Sequence, residues 1–218
     1  LLLPALLALG FWQLDRAEEK AAIASRNAER AAAGSLRLSQ IDDLSPEALA
    51  YRRVEVTGRF LPEPVILLDN QIRDGRYGHD VVGVFIDEAS GLAALLNRGW
   101  IPGDPSRRSQ PDVETPDEQL TLTASVYVPP GEPYLLERDN FATLSSPVLV
   151  QLVNSHELRE AVASTTGYTL FPRELRLAPG EPAGFRRDWP VVNVSPDKHR
   201  GYALQWFTMA GALVLLLF

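Results

Sequence analysis

Charged side chains stop well short of both ends of the chain. Residues 1–14 (LLLPALLALGFWQL) and 201–218 (GYALQWFTMAGALVLLLF) contain none, and every Asp, Glu, Lys and Arg falls between Asp15 and Arg200. A helix needs roughly 20 apolar residues to cross a bilayer. The C-terminal segment approaches that length; the N-terminal one falls short of it. Either segment alone also reads as a buried core helix, and the first as a signal-peptide core. Charge-free stretches at both ends together favour two membrane helices, each cut by the end of the chain, and the lack of an initial Met agrees with a cut at the N-terminus. No small-residue cleavage site follows residue 14. Instead DRAEEKAAIASRNAERAAAG continues the helix in a polar form to about residue 33, where Gly34 is a helix-ending glycine.

Between the ends the pattern turns to short alternating runs. SPEALAYRR opens with a Ser-Pro start suited to a short helix. YRRVEVTGRF, EPVILLDNQ, HDVVGVFID, GLAALLNRGWIP and LTLTASVYV then predict strands, with RDGRYG as a turn and DPSRRSQPDVETPDEQ as a surface loop. YLLER, PVLVQLVN, YTLFPRELRLA and WPVVNV are further extended pieces. SHELREAVAST predicts a helix capped by Ser155, with Glu157 and Glu160 in its first turns. There is no internal repeat and no alternation of strand and helix. The expected fold class is α+β: a small antiparallel sheet or barrel over residues 35–195, flanked by helices at 1–14 and 196–218 that cross the membrane.

Composition narrows the function. A net charge of −7, with no basic stripe, argues against nucleic-acid binding. The chain has no cysteine, which removes thiol catalysis, disulfides and Cys-based metal centres. The three histidines, His79, His156 and His199, are far apart, and Met209 is the single methionine. Phosphate-loop, dinucleotide and nucleophile-elbow patterns are missing, so an enzyme is not expected. Arginine greatly outnumbers lysine, which hints at a GC-rich bacterial genome.

His156 on a helix start and His79 in a turn both read as solvated. His199 differs by position: with Ser195 as cap and Pro196 at the first helical position, it stands one turn into the last helix. Tyr202, Ala203, Trp206 and Ala210 follow it at three- and four-residue spacing. An apolar macrocycle fits such a face, with the imidazole as axial ligand; a solvated first-turn histidine fits it too. Met209 is about 15 Å further along the helix, too far to bind the same iron. At the other end Trp12 and Gln13 precede Arg16 much as Trp206 and Gln205 follow Arg200. The two glutamines are placed either to bond across a helix pair or to reach the headgroups.

The motifs ALGFWQLDRAEEK, YRRVEVTGRF, LLNRGWIP and HRGYALQWFTMAGAL, in this order over nearly the whole chain, resemble the Surfeit locus protein 1 family. The resemblance implies a non-catalytic assembly factor for haem–copper cytochrome c oxidase that helps place haem a in the catalytic subunit. It carries the haem a ligand over to His199 and matches Trp12, Gln13 and Arg16 in the first motif; with Tyr202 and Trp206 of the His199 face, and Arg200, whose guanidinium suits a propionate, these are the candidate residues around the cofactor. Gly58 matches the second motif, and Asn97, Arg98, Gly99 and Trp100 the third, in structural or partner-docking roles. YGHDVVGVF and the arginine in HRGYA depart from the usual pattern. Implied partners are the oxidase catalytic subunit, the haem a synthase and the lipid bilayer. The implied location is a bacterial inner membrane, multi-pass, with the main domain periplasmic. A scaffold that docks the oxidase subunit or the synthase without binding haem is the alternative.

Overall fold

The structure, a computed structural model, describes residues 2–41, 45–129, 141, 144, 146–189 and 195–217. It divides into a helical unit, residues 1–29 with 189–218, and a β-rich unit over 30–188.

The helical unit holds most of α1 (Leu2–Ala32) and all of α4 (Pro196–Leu217). Helix α1 ends close to Gly34, as expected. Among the described residues α4 is the one helix long and apolar enough to cross a membrane. In α1 charges begin at Asp15, so the expectation of two flanking spans is carried by one helix. Leu2, Phe11 and Trp12 on α1 and Leu204, Leu215 and Leu216 on α4 are nonetheless exposed. Large exposed apolar surface of this kind marks lipid or partner contact.

The β-rich unit begins with β1 (Leu36–Arg37) and α2 (Pro46–Leu49), followed by β2 (Arg53–Phe60), β3 (Ile66–Arg73), β4 (Arg76–Asp87) and β5 (Ala93–Pro102). After the polar loop come β6 (Leu120–Tyr127), β7 (Val148–Val150), α3 (His156–Thr166) and β8 (Glu174–Leu177). The sheet order is β1-β2-β6-β8-β5-β4-β3-β7, and a further β2–β4 pairing closes β2, β6, β8, β5 and β4 into a barrel. The expected barrel therefore forms, though not as a purely antiparallel one. Strand β5 pairs with β8 in parallel, Leu96 opposite Leu175 and Asn97 opposite Arg176. YLLER and the VVNV of the last extended piece lie outside the described residues.

Period-two alternation on β5 explains the layers. Ala94 and Leu96 join Val54, Val56, Phe85, Leu122, Ala124 and Leu175 in one buried cluster. Ala93 and Leu95 face the other way, into a cluster with Val82, Val84, Val150 and the α3 residues Leu158 and Val162. Both faces of β5 are thus covered, which is why its run GLAALL reads as continuously apolar. Helix α3 is fixed at both ends: Ser155 Oγ accepts from Leu158 N at 3.2 Å, and Gly167 takes the left-handed conformation at φ 75°.

One local expectation is overturned. The predicted turn RDGRYG is only Asp74–Gly75, both with positive φ, the geometry of a tight two-residue hairpin. Strand β4 therefore starts at Arg76 and includes His79, which is 3% exposed rather than solvated.

Candidate functional site

Within the helical unit, Gly10 of α1 meets Phe207 of α4 and Gln13 meets His199, so the two helices run antiparallel. Gly10 and Ala17 are buried on α1, and Ala203 and Ala210 on α4. Each pair is seven residues apart, the spacing of one helical stripe. Small residues on such stripes let two backbones approach closely. At Gly10 it is the Phe207 ring that fills the space: a Cβ there would lie 2.5 Å from Phe207 Cε1. The rings of Phe11 and Phe207 meet edge to face at 5.2 Å.

Helix α4 starts as its sequence dictates. Ser195 Oγ accepts from Lys198 N at 3.4 Å, Pro196 opens the helix, and Asp197 pairs with Arg200 at 2.9 Å. His199 follows one turn in, half-buried, with its Nδ1 2.7 Å from Gln13 Oε1. Gln205 is exposed, so the amide of Gln13 meets the imidazole and not the second glutamine. Trp12 is 50% exposed, with the Arg16 guanidinium 5.9 Å from its ring centroid. Arg16 also pairs with Glu19 at 2.6 Å. Tyr202 is 49% exposed and Trp206 half-buried.

The aromatic and small face proposed for α4 is therefore split. Ala203 and Ala210, on the stripe of Phe207, are buried, while Tyr202 and Trp206 stand at its margin. Of the rings that helical spacing and the Gln13 contact bring toward His199, Tyr202 and Trp12 are exposed and Trp206 is half-buried. Arg16 and Arg200, each held by one carboxylate within its own helix, are the cations adjacent to these rings in sequence.

The residues of the third motif lie in the β-rich unit, and all four are buried. Arg98 is the extra residue of a β-bulge between Val81–Val82 and Gly99–Asn97. Its guanidinium lies 5.2 Å from the Phe60 ring centroid and 4.8 Å from that of Phe185, and donates to the carbonyls of Ala183 and Glu114. Burial lowers its pKa to about 10, so it keeps its charge at neutral pH. Asn97 Oδ1 accepts from Gly99 N at 3.0 Å and braces the bulge. Gly99 has φ 111°, and a Cβ would sit 2.6 Å from the Arg186 carbonyl oxygen. Trp100 Nε1 donates to the Gln71 carbonyl at 2.9 Å. These contacts make Asn97, Arg98, Gly99 and Trp100 the internal frame of the barrel. Their burial is that of a structural role.

Sequence reasoning missed two buried polar groups. His79 Nδ1 is 3.4 Å from Asp69 Oδ1 without a hydrogen bond to it, and that carboxylate oxygen accepts from Tyr77 Oη at 2.6 Å. Burial lowers the His79 pKa, with the Asp69 charge opposing and Arg107 reinforcing the shift. Asp80 and Glu174 share the Asn97 amide, and burial raises both carboxyl pKa values against the nearby arginines. The narrow Asp74–Gly75 turn was the available signal for His79. Among the described residues no group of three or more His, Asp or Glu side chains is arranged to hold a metal ion.

Comparison with known proteins gives these motifs a context. The SURF1 family model matches residues 1–211. A SURF1-like protein of Mycobacterium tuberculosis is 26% identical over 171 residues, 78% of this chain and 59% of the relative. One from Rickettsia bellii is 26% identical over an alignment of 224 residues, 97% of this chain and 84% of the relative. A Rickettsia felis SURF1-like protein is 32% identical over 97 residues, 44% of this chain and 41% of the relative. This chain thus spans under two thirds of the length of its mycobacterial relatives. With a family model matched across the barrel motifs and the helix that carries His199, the chain belongs to the SURF1 family.

Proposed function

We propose that this protein is a membrane-anchored assembly factor for cytochrome c oxidase, and that it holds haem a as cargo at His199 before the oxidase catalytic subunit receives it. Family membership supports the assembly role. The observation that carries the haem reading is the placement of the three histidines. His79 is enclosed in the barrel, and His156 is 80% exposed beside Glu160 on α3. Of the three, His199 alone stands on a membrane-length helix, half-buried, with exposed Tyr202 three residues on and half-buried Trp206 seven residues on.

The donor set fits a haem. A neutral imidazole is a common axial ligand. Trp12, Tyr202 and Trp206 offer apolar surface to the macrocycle, and Arg16 and Arg200 are suited to its propionates, since guanidinium binds carboxylate in a planar fork. In this reading α1 and α4 both enter the bilayer, and the barrel lies on the periplasmic side of a bacterial inner membrane. Exposed apolar residues on both helices support that arrangement. The same exposed rings support a second reading, in which the helix pair binds oxidase or synthase helices and no haem.

Expression of the full chain alongside haem a synthesis, followed by purification in detergent and absorption spectroscopy, separates the two. The expected result is a haem a spectrum for the wild type, its loss in His199→Ala and its retention in His156→Ala. A haem-free wild type rejects the cargo reading and leaves the scaffold. Equal haem in wild type and His199→Ala removes His199 as the ligand.

A further inference from the structure

We propose that Gln13 is a positioning residue that sets the tautomer of His199, leaving Nε2 as the nitrogen available for coordination. This rests on the haem reading only for its use; the hydrogen bond itself is a property of the apo helix pair.

His199 Nδ1 and Gln13 Oε1 are 2.7 Å apart. An amide oxygen only accepts, so the proton of a neutral imidazole bonded to it sits on Nδ1. Nε2 then carries the lone pair, and among the described residues it has no protein partner. Free in water, a neutral histidine side chain exchanges its proton between the two ring nitrogens. Here the partner comes from a different helix, 186 residues away in sequence, so the ring is held by the packing of α1 on α4. The Gly10–Phe207 contact lies about two helical turns along α4 from His199 and fixes how deeply the helices seat.

The chemical consequence is the one seen when a ligating imidazole donates its second N–H: ring orientation is fixed and the coordinating nitrogen becomes more basic. Glutamine supplies a neutral acceptor, a moderate version of the effect. Glutamate would strengthen it and leucine would abolish it. A moderate donor suits a carrier that must release its cargo.

The test uses the full chain in detergent micelles, with 15N-histidine labelling and the His199 signal assigned by difference from His199→Ala. In the haem-free wild type His199 is expected as the Nδ1–H tautomer, and in Gln13→Leu as a mixture or as Nε2–H. An Nε2–H wild type, or a tautomer unchanged in Gln13→Leu, overturns the proposal. In the haem-loaded protein the midpoint potential is expected to rise in Gln13→Leu and fall in Gln13→Glu, and haem retention to drop several-fold in Gln13→Leu. Unchanged potentials in both variants also overturn it. Far-UV circular dichroism of each variant confirms that the helices persist, and Gln13→Glu, which keeps the acceptor, should keep the proton on Nδ1; its loss from Nδ1 in that variant overturns the proposal. Failure of the haem reading looks different: the wild type shows the Nδ1–H tautomer yet acquires no haem.

Discussion

Asn97 on β5 and Glu174 on β8 are 77 residues apart in sequence and joined by a 3.0 Å hydrogen bond from Nδ2 to Oε1. The same amide reaches Asp80 Oδ2 at 3.4 Å, and its oxygen holds the Gly99 amide. One buried side chain thus links three strands and the bulge that places Arg98.

Replacing Asn97 therefore has a large expected effect. Asn97→Leu leaves the Gly99 N–H without its acceptor and takes the shared amide from two buried carboxyl groups, each keeping its arginine, and should destabilise the barrel by about 2–4 kcal/mol. For a unit of this size that corresponds to a fall in melting temperature of about 5–15 °C. Asn97→Asp should be worse, since it sets a third carboxylate between two others. Near-UV circular dichroism melts of the full chain in micelles measure both. A melting temperature within 2 °C (roughly one kcal/mol or less) of wild type for Asn97→Leu would show that water replaces the amide.

Glu174 and His79 should give stability opposite pH dependences. Burial raises the Glu174 pKa above its ordinary 4.5. The fold thus favours the protonated acid, and this contribution, full below pH 4.5, is lost as pH rises through the folded value. His79 behaves oppositely, because burial lowers its pKa below 6.5. Its contribution is full above pH 6.5 and is lost as pH falls through the folded value. Urea titrations from pH 4 to 8 (roughly the range spanned by ordinary Glu and His values) should show Glu174→Gln reducing the loss of stability with rising pH and His79→Gln the loss with falling pH. A Glu174→Gln variant that keeps the wild-type loss with rising pH would assign that loss to Asp80, whose pKa burial also raises.

Local signals carried much of the fold. The Ser155 cap, the strands of VEVTGRF and LTLTASVY and the polar loop after Pro102 were all legible, because each depends on neighbours in sequence. The parallel β5–β8 pairing was not, since nothing local in ELRL says which strand it joins. His79 was misplaced because a two-residue turn and a longer one look alike in RDGRYG. The Trp–Gln pairs pointed to a helix pair, yet the partner of Gln13 depended on how α1 and α4 seat. That seating is set by the shapes of Gly10 and Phe207, which a hydrophobicity pattern does not encode.

Gly58 is the residue at which β2 turns from β6 to β4 and closes the barrel; it lies opposite Asp87 on one side and Leu120 on the other. A Cβ there would overlap the Ile86 carbonyl oxygen. The backbone of Glu88 and the Asp87 carboxylate both bond to Thr57 beside it, so β2 has little room to yield. Gly58→Ala should cost about 3 kcal/mol, the upper end of overpacking. Hydrogen exchange should locate the damage in β2 and the end of β4, leaving α3 protected. Uniform loss of protection would mean that the seam does not open separately.

The seam of the helix pair makes a prediction in which two effects of known size compete. Alanine is favoured over glycine inside a helix by about 1 kcal/mol, so Gly10→Ala would stabilise α1 if nothing faced it. Phe207 faces it: the new methyl would sit 2.5 Å from Cε1, and Cζ and Cδ1 are 2.7 and 2.8 Å away. A ring packed edge to face on Phe11 cannot retreat without giving up that contact. The clash should win, so Gly10→Ala lowers the helix-pair melting temperature and weakens the Nδ1–H signal of His199. In Gly10→Ala/Phe207→Leu the smaller side chain makes room, and both readouts should return most of the way, a coupling that a double-mutant cycle isolates. Additive losses would mean that Phe207 yields freely and that the depth of His199 is set elsewhere on the seam.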